Sequence, residues 1–527
     1  MIEGAPVNVK DYGAVGDGVT DDTAAIQAAL DTGASIVSGS GMTCKTVATL
    51  TMSNKQTLEN INIVNTETSS TVITASGSLG ADLLLTSDRV YTDTTLVLST
   101  GDAATLSEGD MLFISDTQDY AIGVFQSEIA FVKAVSGTTV TLTSTLFSSY
   151  LVASTAKVNK ITPMENVGLR NVSLKGAGGT SAIQSGIEFI RCLNVNITGC
   201  RFESFDTRML RFTRSAYCHV SNSHFRDGDR AGFGYGVAIS EGTHFVTVTN
   251  STFEEMRHGV ATGGGAGVNR YVTVTNSTFH GMKDAMLDTH EETDFVNYSG
   301  NISNHVPDNG TDDGILIGGG NAVVCNNTIQ DCVRHGILVQ QGVLEGMSKG
   351  GDCQVVISGN IIHNAGSGNG IVVTTSANGR QVYTGVTISN NSISKSDVIG
   401  ISVTAKGSDI KDVAITGNTV SNGSGTISIK LESNSSSAVN GSISNFSVTG
   451  NVCRLVSGST GVNIKLVTAG GGIDSGNIGG NTVINGNNGL SLGAVSNVTV
   501  VGNQITGATG TEILSTSATN ATIASNG

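Results

Sequence analysis

All nine histidines of this 527-residue chain lie between His219 and His363. Histidine is the side chain that most readily gains or loses a proton near neutral pH. A repetitive sequence usually distributes its polar residues evenly, because each repeat solves the same packing problem. The clustering therefore marks the stretch of chain in which acid–base chemistry is expected.

Two columns of polar residues emerge in this stretch when its repeats are aligned on Gly236, Gly259, Ala285, Gly314 and Gly336. The residues one position earlier are Tyr235, His258, Asp284, Asp313 and His335, and those two positions earlier are Gly234, Arg257, Lys283, Asp312 and Arg334. Five positions after the alignment point come Glu241, Gly264, His290 and Gln341. Burial of so many charges would be costly and packing does not need it. A solvated ladder of salt bridges is one interpretation, and a functional groove is favoured by the convergence of cations, carboxylates and histidines.

This set of residues contains a base and cations, the groups that abstraction of a proton next to a carboxylate needs. The proton is removable only if a cation on the carboxylate stabilises the enolate-like intermediate. Arg257 or Arg334 suits that role because a guanidinium grips a carboxylate through two hydrogen bonds. A histidine can then act as the base, and on a 4-linked acidic sugar the elimination makes the protein a polysaccharide lyase.

Two other classes of protein remain open. A glycoside hydrolase needs two carboxyl groups, about 5 Å apart for retention or about 6.5–9.5 Å apart for inversion. Asp284 with Asp313 suits the first spacing, and Asp288 with Glu241 suits the second. A non-cleaving adhesin or receptor-binding spike would hold a glycan without any need for a cluster of His, Arg and Asp.

The elements that position these residues are short strands in an imperfect repeat. A pair of small or polar residues recurs every 22 to 33 residues, at 199–200, 222–223, 250–251, 276–277, 300–301, 326–327, 359–360, 390–391, 417–418, 450–451, 480–481 and 502–503. Apolar and polar residues alternate around each pair, which is typical of strands, and such a period indicates a solenoid. We expect the repeated asparagines to hydrogen-bond from rung to rung. The predicted fold is all-β, a right-handed parallel β-helix.

Composition and charge agree with such a solenoid. The chain has 69 Gly, 3 Pro and no Trp, which suits short strands with tight turns. Its formal charge of −15 argues against a nucleic-acid partner, which needs a basic face, although the balanced stretch 201–290 can still dock an anionic polymer. The eight cysteines lack zinc-site spacing and are expected to be small buried residues. No long apolar run or signal peptide indicates membrane insertion or classical secretion.

The segment 8–30 combines a strand, a glycine-rich turn (Gly13-Ala14-Val15-Gly16-Asp17-Gly18) and a helix that begins near Asp21-Asp22-Thr23. It closely resembles the entry motif of the pectate-lyase-like superfamily, which includes bacteriophage tailspikes. The resemblance implies that the helix caps the open end of the β-helix. The acidic cluster is then structural, with a metal site as the less favoured interpretation.

These features divide the chain into five parts. Residues 1–6 precede the motif and are expected to be an expression remnant, and 7–79 form the cap and the first rungs. Residues 80–165 break the period and are predicted to be an inserted β subdomain that lies against the first rungs, similar to those of phage tailspikes. The central rungs, 166–370, carry the groove, and 371–527 are C-terminal rungs.

A second resemblance concerns the chemistry. The sequences Leu287-Asp288-Thr289-His290-Glu291-Glu292-Thr293, Asp313-Gly314-Ile315 and Arg334-His335-Gly336-Ile337 resemble the β-helix core of alginate C5-epimerases, which carry Asp-Pro-His-Glu, Asp-Gly and Arg-His-Gly. This implies that the proton is the C5 proton of a uronic acid and that Asp288 and His290 lie where it is removed. Arg334 would correspond to the arginine of the family's Arg-His-Gly motif. If Asp288 lies under the strand, it would orient His290 and not react itself. The motif proline is Thr289 here and the catalytic tyrosine is replaced by Ala285, so we expect proton abstraction by another base, His258 or Tyr235, without epimerisation.

We therefore expect a phage tailspike depolymerase that cleaves a bacterial capsular or exopolysaccharide by β-elimination at an acidic sugar. The expected catalytic residues are His290, His258, Arg257, Asp288, Lys283, Asp284 and Arg334. The expected polysaccharide-binding residues are Tyr235, Glu241, Glu291, Asp313 and His335. No metal or other cofactor is expected. The tailspike resemblance implies a homotrimer in the virion, attached to the baseplate or tail through an N-terminal region outside this chain, and secretion is the alternative location.

Overall fold

A computed structural model describes residues 6–119, 125–178, 183–228, 230, 232–263, 267–290, 293–304, 313–340, 353–375, 382–421, 426–434 and 440–524. Within these ranges the chain divides into two compact units. The first unit contains residues 6–280 and 293–294, and the second contains residues 281–290, 295–304 and 313–524.

The first unit contains a long and a short parallel sheet, both built from successive rungs. The strands of its long sheet are Val7–Asn8, Asp17–Asp21, Ile36–Ser38, Thr43–Thr46, Thr57–Asn65, Met164–Lys175, Cys192–Thr198, Arg201–Glu203, Ala216–Ser221, His224–Gly228, His244–Thr249, Thr252–Met256, Asn269–Thr275 and Thr278–His280. The strands of its short sheet are Leu50–Thr51, Thr71–Ser76, Ser185–Ile190, Arg208–Thr213, Tyr235–Ser240 and His258–Thr262. Apolar side chains alternate inward along both sheets and form the core.

The second unit repeats this arrangement. The strands of its long sheet are Thr293–Ser299 (which begins in the first unit), Ile302–Asn304, Ala322–Cys325, Thr328–Cys332, Cys353–Ser358, Ile361–Ala365, Tyr383–Ser389, Ser392–Ser394, Ile410–Thr416, Thr419–Ser421, Ile443–Thr449, Val452–Arg454, Ile473–Gly479, Thr482–Ile484, Val495–Val501, Gln504–Thr506 and Thr522–Ala524. Those of its short sheet are Leu287–Thr289, Ile315–Ile317, Ile337–Gln340, Ile371–Thr374, Ile399–Ala405, Ile427–Asn434, Val462–Ala469, Asn488–Leu492 and Ile513–Ser515. The predicted all-β parallel solenoid is confirmed.

The recurring pair of residues forms a tight turn in each rung. Its first member is in the left-handed region, with φ between 49° and 69° from Asn222 to Gly502, which only glycine and asparagine adopt readily. This conformational requirement explains why that position holds either glycine or asparagine in every one of these rungs.

The second member of the pair forms a buried ladder. In the second unit the side-chain amide of Asn360 donates to Oδ1 of Asn391 at 2.9 Å, and the amide of Asn391 donates to Oδ1 of Asn418 at 2.9 Å. Each of these amides also donates to a backbone carbonyl, as Asn360 does to Val324 at 2.8 Å. The predicted asparagine column is confirmed there. In the first unit, serines 223, 251 and 277 replace it, each hydroxyl accepting from the backbone N–H of the previous rung's residue at 3.2 Å.

In the part of the chain that the structure describes, two α-helices, Thr23–Leu30 and Thr100–Ala103, and two 3₁₀ helices, Val9–Tyr12 and Val152–Ser154, accompany the strands. The buried Asp22 carboxylate precedes the first α-helix, but it makes no capping bond to it. Instead it accepts the backbone N–H groups of Val15 at 2.7 Å and Gly16 at 3.0 Å. The acidic residue therefore holds the glycine-rich turn that leads into the helix.

A separate antiparallel sheet interrupts the rungs of the first unit. Its strands are Ser78–Leu84, Thr95–Val97, Met111–Asp119, Phe125–Ser136, Thr139–Leu142 and Lys157–Thr162. We call it the inserted sheet. It packs against rungs as late as Arg270, whose guanidinium lies 3.6 Å from the buried Glu128 carboxylate. The inserted sheet therefore reaches rungs well beyond the first ones, and its predicted packing against those first rungs stays a prediction.

None of the eight cysteines, all of which lie within the described ranges, forms a disulfide, and seven of them are buried. Cys325 is partly exposed. No helix within the described ranges is long and apolar enough to cross a bilayer.

Candidate functional site

In the first unit, the predicted column of Tyr235 and His258 lies on adjacent strands of the short sheet. The two residues are direct register partners, and their rings stack with centroids 5.5 Å apart. Nη1 of Arg257 donates to the Tyr235 hydroxyl at 3.1 Å. His258 is 2% exposed, so its ring is almost completely shielded from solvent. The structure thus brings together three of the predicted residues.

Glu241 lies at the other end of the strand that begins at Tyr235, and its carboxylate pairs with arginines. Its Oε1 accepts from Arg211 at 3.2 Å and its Oε2 lies 3.0 Å from Arg214. A second carboxylate, Glu188, lies 3.6 Å from Arg211. Glu241 therefore pairs with two arginines, one of which it shares with Glu188.

In the second unit, Asp313 and Arg334 form the tightest pair among the predicted residues. Asp313 is 2% exposed. Nε of Arg334 donates to its Oδ1 at 3.1 Å, Nη2 donates to Oδ2, and the His335 backbone N–H donates to Oδ1 at 3.1 Å. The Arg334 side chain stays 40% exposed. The buried carboxylate therefore holds an exposed guanidinium in one orientation.

Burial raises the pKa of Asp313 to about 6, even though the hydrogen bonds and charge of Arg334 oppose that rise. The negative charge of Asp284 contributes to the same rise. At pH 7 the Asp313 carboxyl is still ionised, so the pair with Arg334 is intact, and it weakens once the pH falls below about 6.

His335 is fixed as a hydrogen-bond donor. Its Nδ1 accepts the Asn369 backbone N–H at 3.0 Å, and burial together with the charge of Arg334 lowers its pKa to about 4. A neutral imidazole that accepts at Nδ1 carries its proton on Nε2. At neutral pH His335 can therefore donate to a sugar oxygen, but it cannot take up a proton at Nε2.

The register of Lys283 and Asp284 differs from the predicted alignment by one residue. Leu287 pairs with Ile315 and Ile315 with Ile337, so Met286, and not Ala285, occupies the position of Gly314. The reason is that inward apolar residues set the register of a strand, whereas the alignment placed Ala285 with the glycines of the other rungs. Asp284 is half-buried and Lys283 is exposed, and the Asp284 carboxylate accepts the Ala285 N–H at 3.1 Å.

Asp288 and His290 form a second pair in the same unit. Nε2 of His290 lies 3.4 Å from Oδ2 of Asp288. Asp288 is 4% exposed, whereas the His290 side chain is 47% exposed. This geometry suits a carboxylate that orients an exposed imidazole.

The structure does not bring His290 and Arg334 together. Through the pairings of Leu287, Ile315 and Ile337, His290 has the register of Gln340, six residues after Arg334. At about 3.3 Å per residue, up to roughly 20 Å of extended chain separates these two register positions. The polar residues therefore form one group at the amino end of the strands and another at the carboxyl end. Glu291 lies outside the described residues.

Sequence reasoning missed Arg208 and Phe233. Arg208 is the register partner of Tyr235, and its guanidinium carbon lies 5.9 Å from the Tyr235 ring centroid and 6.0 Å from that of Phe233. The signal was present, because Arg208 extends the column of Tyr235 and His258 by one rung towards the N-terminus.

The sequence model of the protein family described as a right-handed β-helix region matches residues 114–279 and 235–410, which together cover more than half of the chain. No curated protein matches the chain at the level of sequence.

Several phage tailspikes have a similar fold. The Pseudomonas phage phi297 tailspike gp61 has a TM-score of 0.58 at 16% identity, over 91% of this chain and 80% of that one. For the Pseudomonas phage LKA1 tailspike gp49 the TM-score is 0.57 at 17% identity, over 95% and 83%. The gp54 tailspike of Acinetobacter baumannii phage AP22, solved with an A. baumannii capsular saccharide, has a TM-score of 0.53 at 13% identity, over 95% and 77%.

Proposed function

This chain belongs to the right-handed β-helix family, and from that premise we propose that it is a phage tailspike that depolymerises an acidic bacterial surface polysaccharide by β-elimination. The observation that carries the proposal is the exposed guanidinium of Arg334 on the buried Asp313 carboxylate. A cation held in one orientation, yet open to solvent, suits recognition of a uronate carboxylate. The fold shared with tailspikes, one of them solved with a capsular saccharide, supports the substrate class.

The reaction centre is proposed at the amino end of the strands in the second unit. Arg334 would neutralise the uronate carboxylate, and Nε2–H of His335 would donate to a sugar oxygen. Asp284, whose charge reaches Asp313, would remove the C5 proton. The C4–O4 bond then breaks, a C4–C5 double bond forms, and the exposed ammonium of Lys283 would protonate the departing oxygen.

The Asp288–His290 pair is assigned to a neighbouring position along the polysaccharide, because it lies at the carboxyl end of the strands. In the first unit, Tyr235, Arg257 and His258 are assigned to binding the polymer. Glu241 would act indirectly, through the arginines with which it pairs. Attachment to a virion and assembly as a homotrimer are part of the same proposal.

Glycoside hydrolysis is the second candidate, favoured by the raised pKa of Asp313 near a second carboxylate, Asp284. Against it, Arg334 and the His335 N–H engage both oxygens of Asp313. A general acid needs a proton that the substrate can reach. Elimination is therefore the favoured reaction.

The deciding experiment is digestion of purified capsular polysaccharides followed by analysis of the fragments. Elimination produces an unsaturated uronate at the new non-reducing end, with its ultraviolet absorbance. Fragments with a new reducing end and an intact acidic sugar would instead show a hydrolase. A polymer altered only in C5 configuration would show an epimerase, and a polymer that is bound but unchanged would show a non-cleaving spike.

A further inference from the structure

A group of arginines and aromatic rings in the first unit has no part in the reaction described above. It consists of Arg208, Arg230, Phe233, Tyr235 and Arg257, and we call it the arginine–aromatic cluster. The Arg230 guanidinium carbon lies 5.2 Å from the Phe233 ring centroid, and that of Arg257 lies 5.7 Å from the Tyr235 centroid. Three guanidinium groups thus approach two rings.

Arg208 feels the charges of Glu188 and Glu241, but neither carboxylate pairs with it directly. Among the residues that the structure describes, no carboxylate forms an ion pair with it, whereas its neighbour Arg211 has Glu188 and Glu241. Arg208 is half-buried, so its charge has lost part of its hydration. Burial, and then the positive charge of Arg211, lower the pKa of Arg208. An anion placed there would relieve both costs.

The rings hold this cation in place. A guanidinium within about 6 Å of a ring centroid is attracted by the negative face of the ring. Phe233 is itself 36% exposed, so an apolar surface lies beside the cation. A charged group next to an exposed ring matches a sugar, which presents apolar C–H faces and, in an acidic sugar, a carboxylate.

We propose that the arginine–aromatic cluster is a binding subsite for an acidic sugar residue, with Arg208 as the residue that grips the carboxylate. The inference rests on the proposed function, because it assumes a polysaccharide ligand. It adds a specificity: the polymer carries a carboxylate on the sugar that contacts this cluster. This fits a chain of formal charge −15 whose segment 201–290 has as many basic as acidic residues.

The principal test measures binding of acidic capsular polysaccharides, and of their carboxyl-reduced forms, by affinity electrophoresis. Arg208→Gln is expected to weaken binding of the native polymer about tenfold or more, the loss of a hydrogen bond between charged groups. Arg208→Lys should keep part of the affinity, since lysine retains the positive charge but cannot form the two parallel hydrogen bonds that a guanidinium makes to a carboxylate. Arg226→Gln is the matched control, because it removes an exposed arginine that pairs with Glu255 in the same unit.

The carboxyl-reduced polymer should bind the wild-type protein more weakly than the native polymer binds Arg208→Gln, because reduction also removes the carboxylate that Arg334 is proposed to recognise. Equal affinity of the wild-type protein for both polymers, or wild-type affinity in Arg208→Gln, would overturn the subsite. Thermal unfolding of each variant checks that the fold is intact.

The outcomes separate the subsite from the proposed activity. If the wild-type protein binds an acidic polymer through Arg208 and leaves it intact, the activity fails and the subsite stands. If Arg208→Gln degrades the polymer with unchanged KM, the subsite fails and the activity stands. The expected result is a raised KM with unchanged kcat, because Arg208 contacts a sugar away from the bond that breaks.

A probe that needs no polymer is arginine modification by phenylglyoxal, read by peptide mass spectrometry. Sodium glucuronate is expected to slow modification of Arg208 and not of Arg226. Methyl glucoside at equal ionic strength should protect neither. Equal modification of Arg208 in both solutions would contradict an acidic-sugar subsite.

Discussion

At the residue scale, buried neighbours decide what the exposed groups of the second unit can do. Asp313 orients Arg334, and the Asn369 backbone N–H selects the tautomer of His335. The buried Asp288 carboxylate orients the exposed His290 ring in the same way. In each case a buried group determines the geometry of a more exposed one.

The first prediction concerns the position of the reaction centre. Arg334→Gln and Asp284→Asn are each expected to lower turnover at least about 100-fold, the scale of a lost charge stabiliser or base. The thermal stability of Asp284→Asn should differ little from that of the wild-type protein, because Asp284 is only half-buried. Turnover is measured from the unsaturated product.

His290→Ala should mainly raise KM, since His290 lies at the other end of the strands. His363→Ala is the control, because His363 bonds Ser394 on the long sheet at 2.8 Å, and it should be silent. Loss of turnover in His290→Ala, with activity retained in Asp284→Asn, would move the reaction centre to the Asp288–His290 pair.

The second prediction concerns the acid limb of the pH profile, the range in which activity falls as the pH is lowered. Turnover should fall as the pH drops through about 6, because protonation of Asp313 weakens its hold on Arg334. The limb should be absent from Asp313→Asn, which should also be less active at neutral pH. A pH profile of kcat/KM in both proteins checks this, and an identical limb in Asp313→Asn would assign it to another group.

At the element scale, the buried asparagine ladder is the feature that links one rung of the second unit to the next. Oδ1 of Asn391 accepts both the backbone N–H and the side-chain amide of Asn360, each at 2.9 Å. These donors have no access to water. The ladder therefore makes the register of each rung depend on its neighbour.

The third prediction is that Asn391→Ala strongly destabilises the protein. Each buried donor left without an acceptor costs about 1–3 kcal/mol, and this change orphans two on Asn360. Asn390→Gly is the neighbouring control, because Asn390 is exposed with φ of 56° and glycine adopts that conformation freely. Denaturant unfolding monitored by circular dichroism measures both, and equal stability of the two variants would contradict the role of the ladder.

The fourth prediction concerns a buried histidine where the inserted sheet packs on the rungs. Burial and then the charge of Arg270 lower the pKa of His244 to about 3. The unfolded chain takes up this proton near pH 6.5, so native stability should be lost as the pH falls from 6.5 towards 3. His335 contributes in the same direction, and Asp313, with its raised pKa, in the opposite direction.

His244→Gln should therefore flatten the dependence of thermal stability on pH below 6.5, since glutamine can still donate to the Val268 carbonyl. His219→Gln, an exposed histidine in the same unit, should leave the slope unchanged. The slope is obtained by scanning calorimetry across that pH range. A steep slope that persists in His244→Gln would assign acid lability to other groups.

At the scale of the whole molecule, one face of the second unit is uncharged. In three neighbouring outward columns of its long sheet, the described positions are Asn297, Val323, Val356, Thr387, Ala414, Ser447, Asn477 and Thr499; Ser299, Cys325, Ser358, Ser389, Thr416, Thr449, Gly479 and Val501; and Ile302, Thr328, Ile361, Ser392, Thr419, Val452, Thr482 and Gln504. A face of small uncharged side chains on a chain of formal charge −15 suits contact with copies of itself.

The fifth prediction is that the protein is a homotrimer held in part through this face. Light scattering should give about three times the chain mass of 53.8 kDa. The double change Thr416→Lys with Ser447→Lys should yield smaller species, because it would bury like charges in the interface. Ser491→Lys on the short sheet should leave the assembly intact. A wild-type monomer at micromolar concentration would contradict the prediction.

The sequence by itself determined the solenoid, the buried ladder and the column of Tyr235 with His258. These features follow from local rules: strands alternate with period two, and only glycine or asparagine readily takes the left-handed turn that precedes each ladder residue. The tertiary structure alone decided the one-residue register of Asp284, the reach of the inserted sheet to Arg270, the arginines on Glu241 and the separation of His290 from Arg334. Those depend on which side chains from distant rungs pack together, and chain spacing does not specify such contacts when the rungs vary in length from 22 to 33 residues.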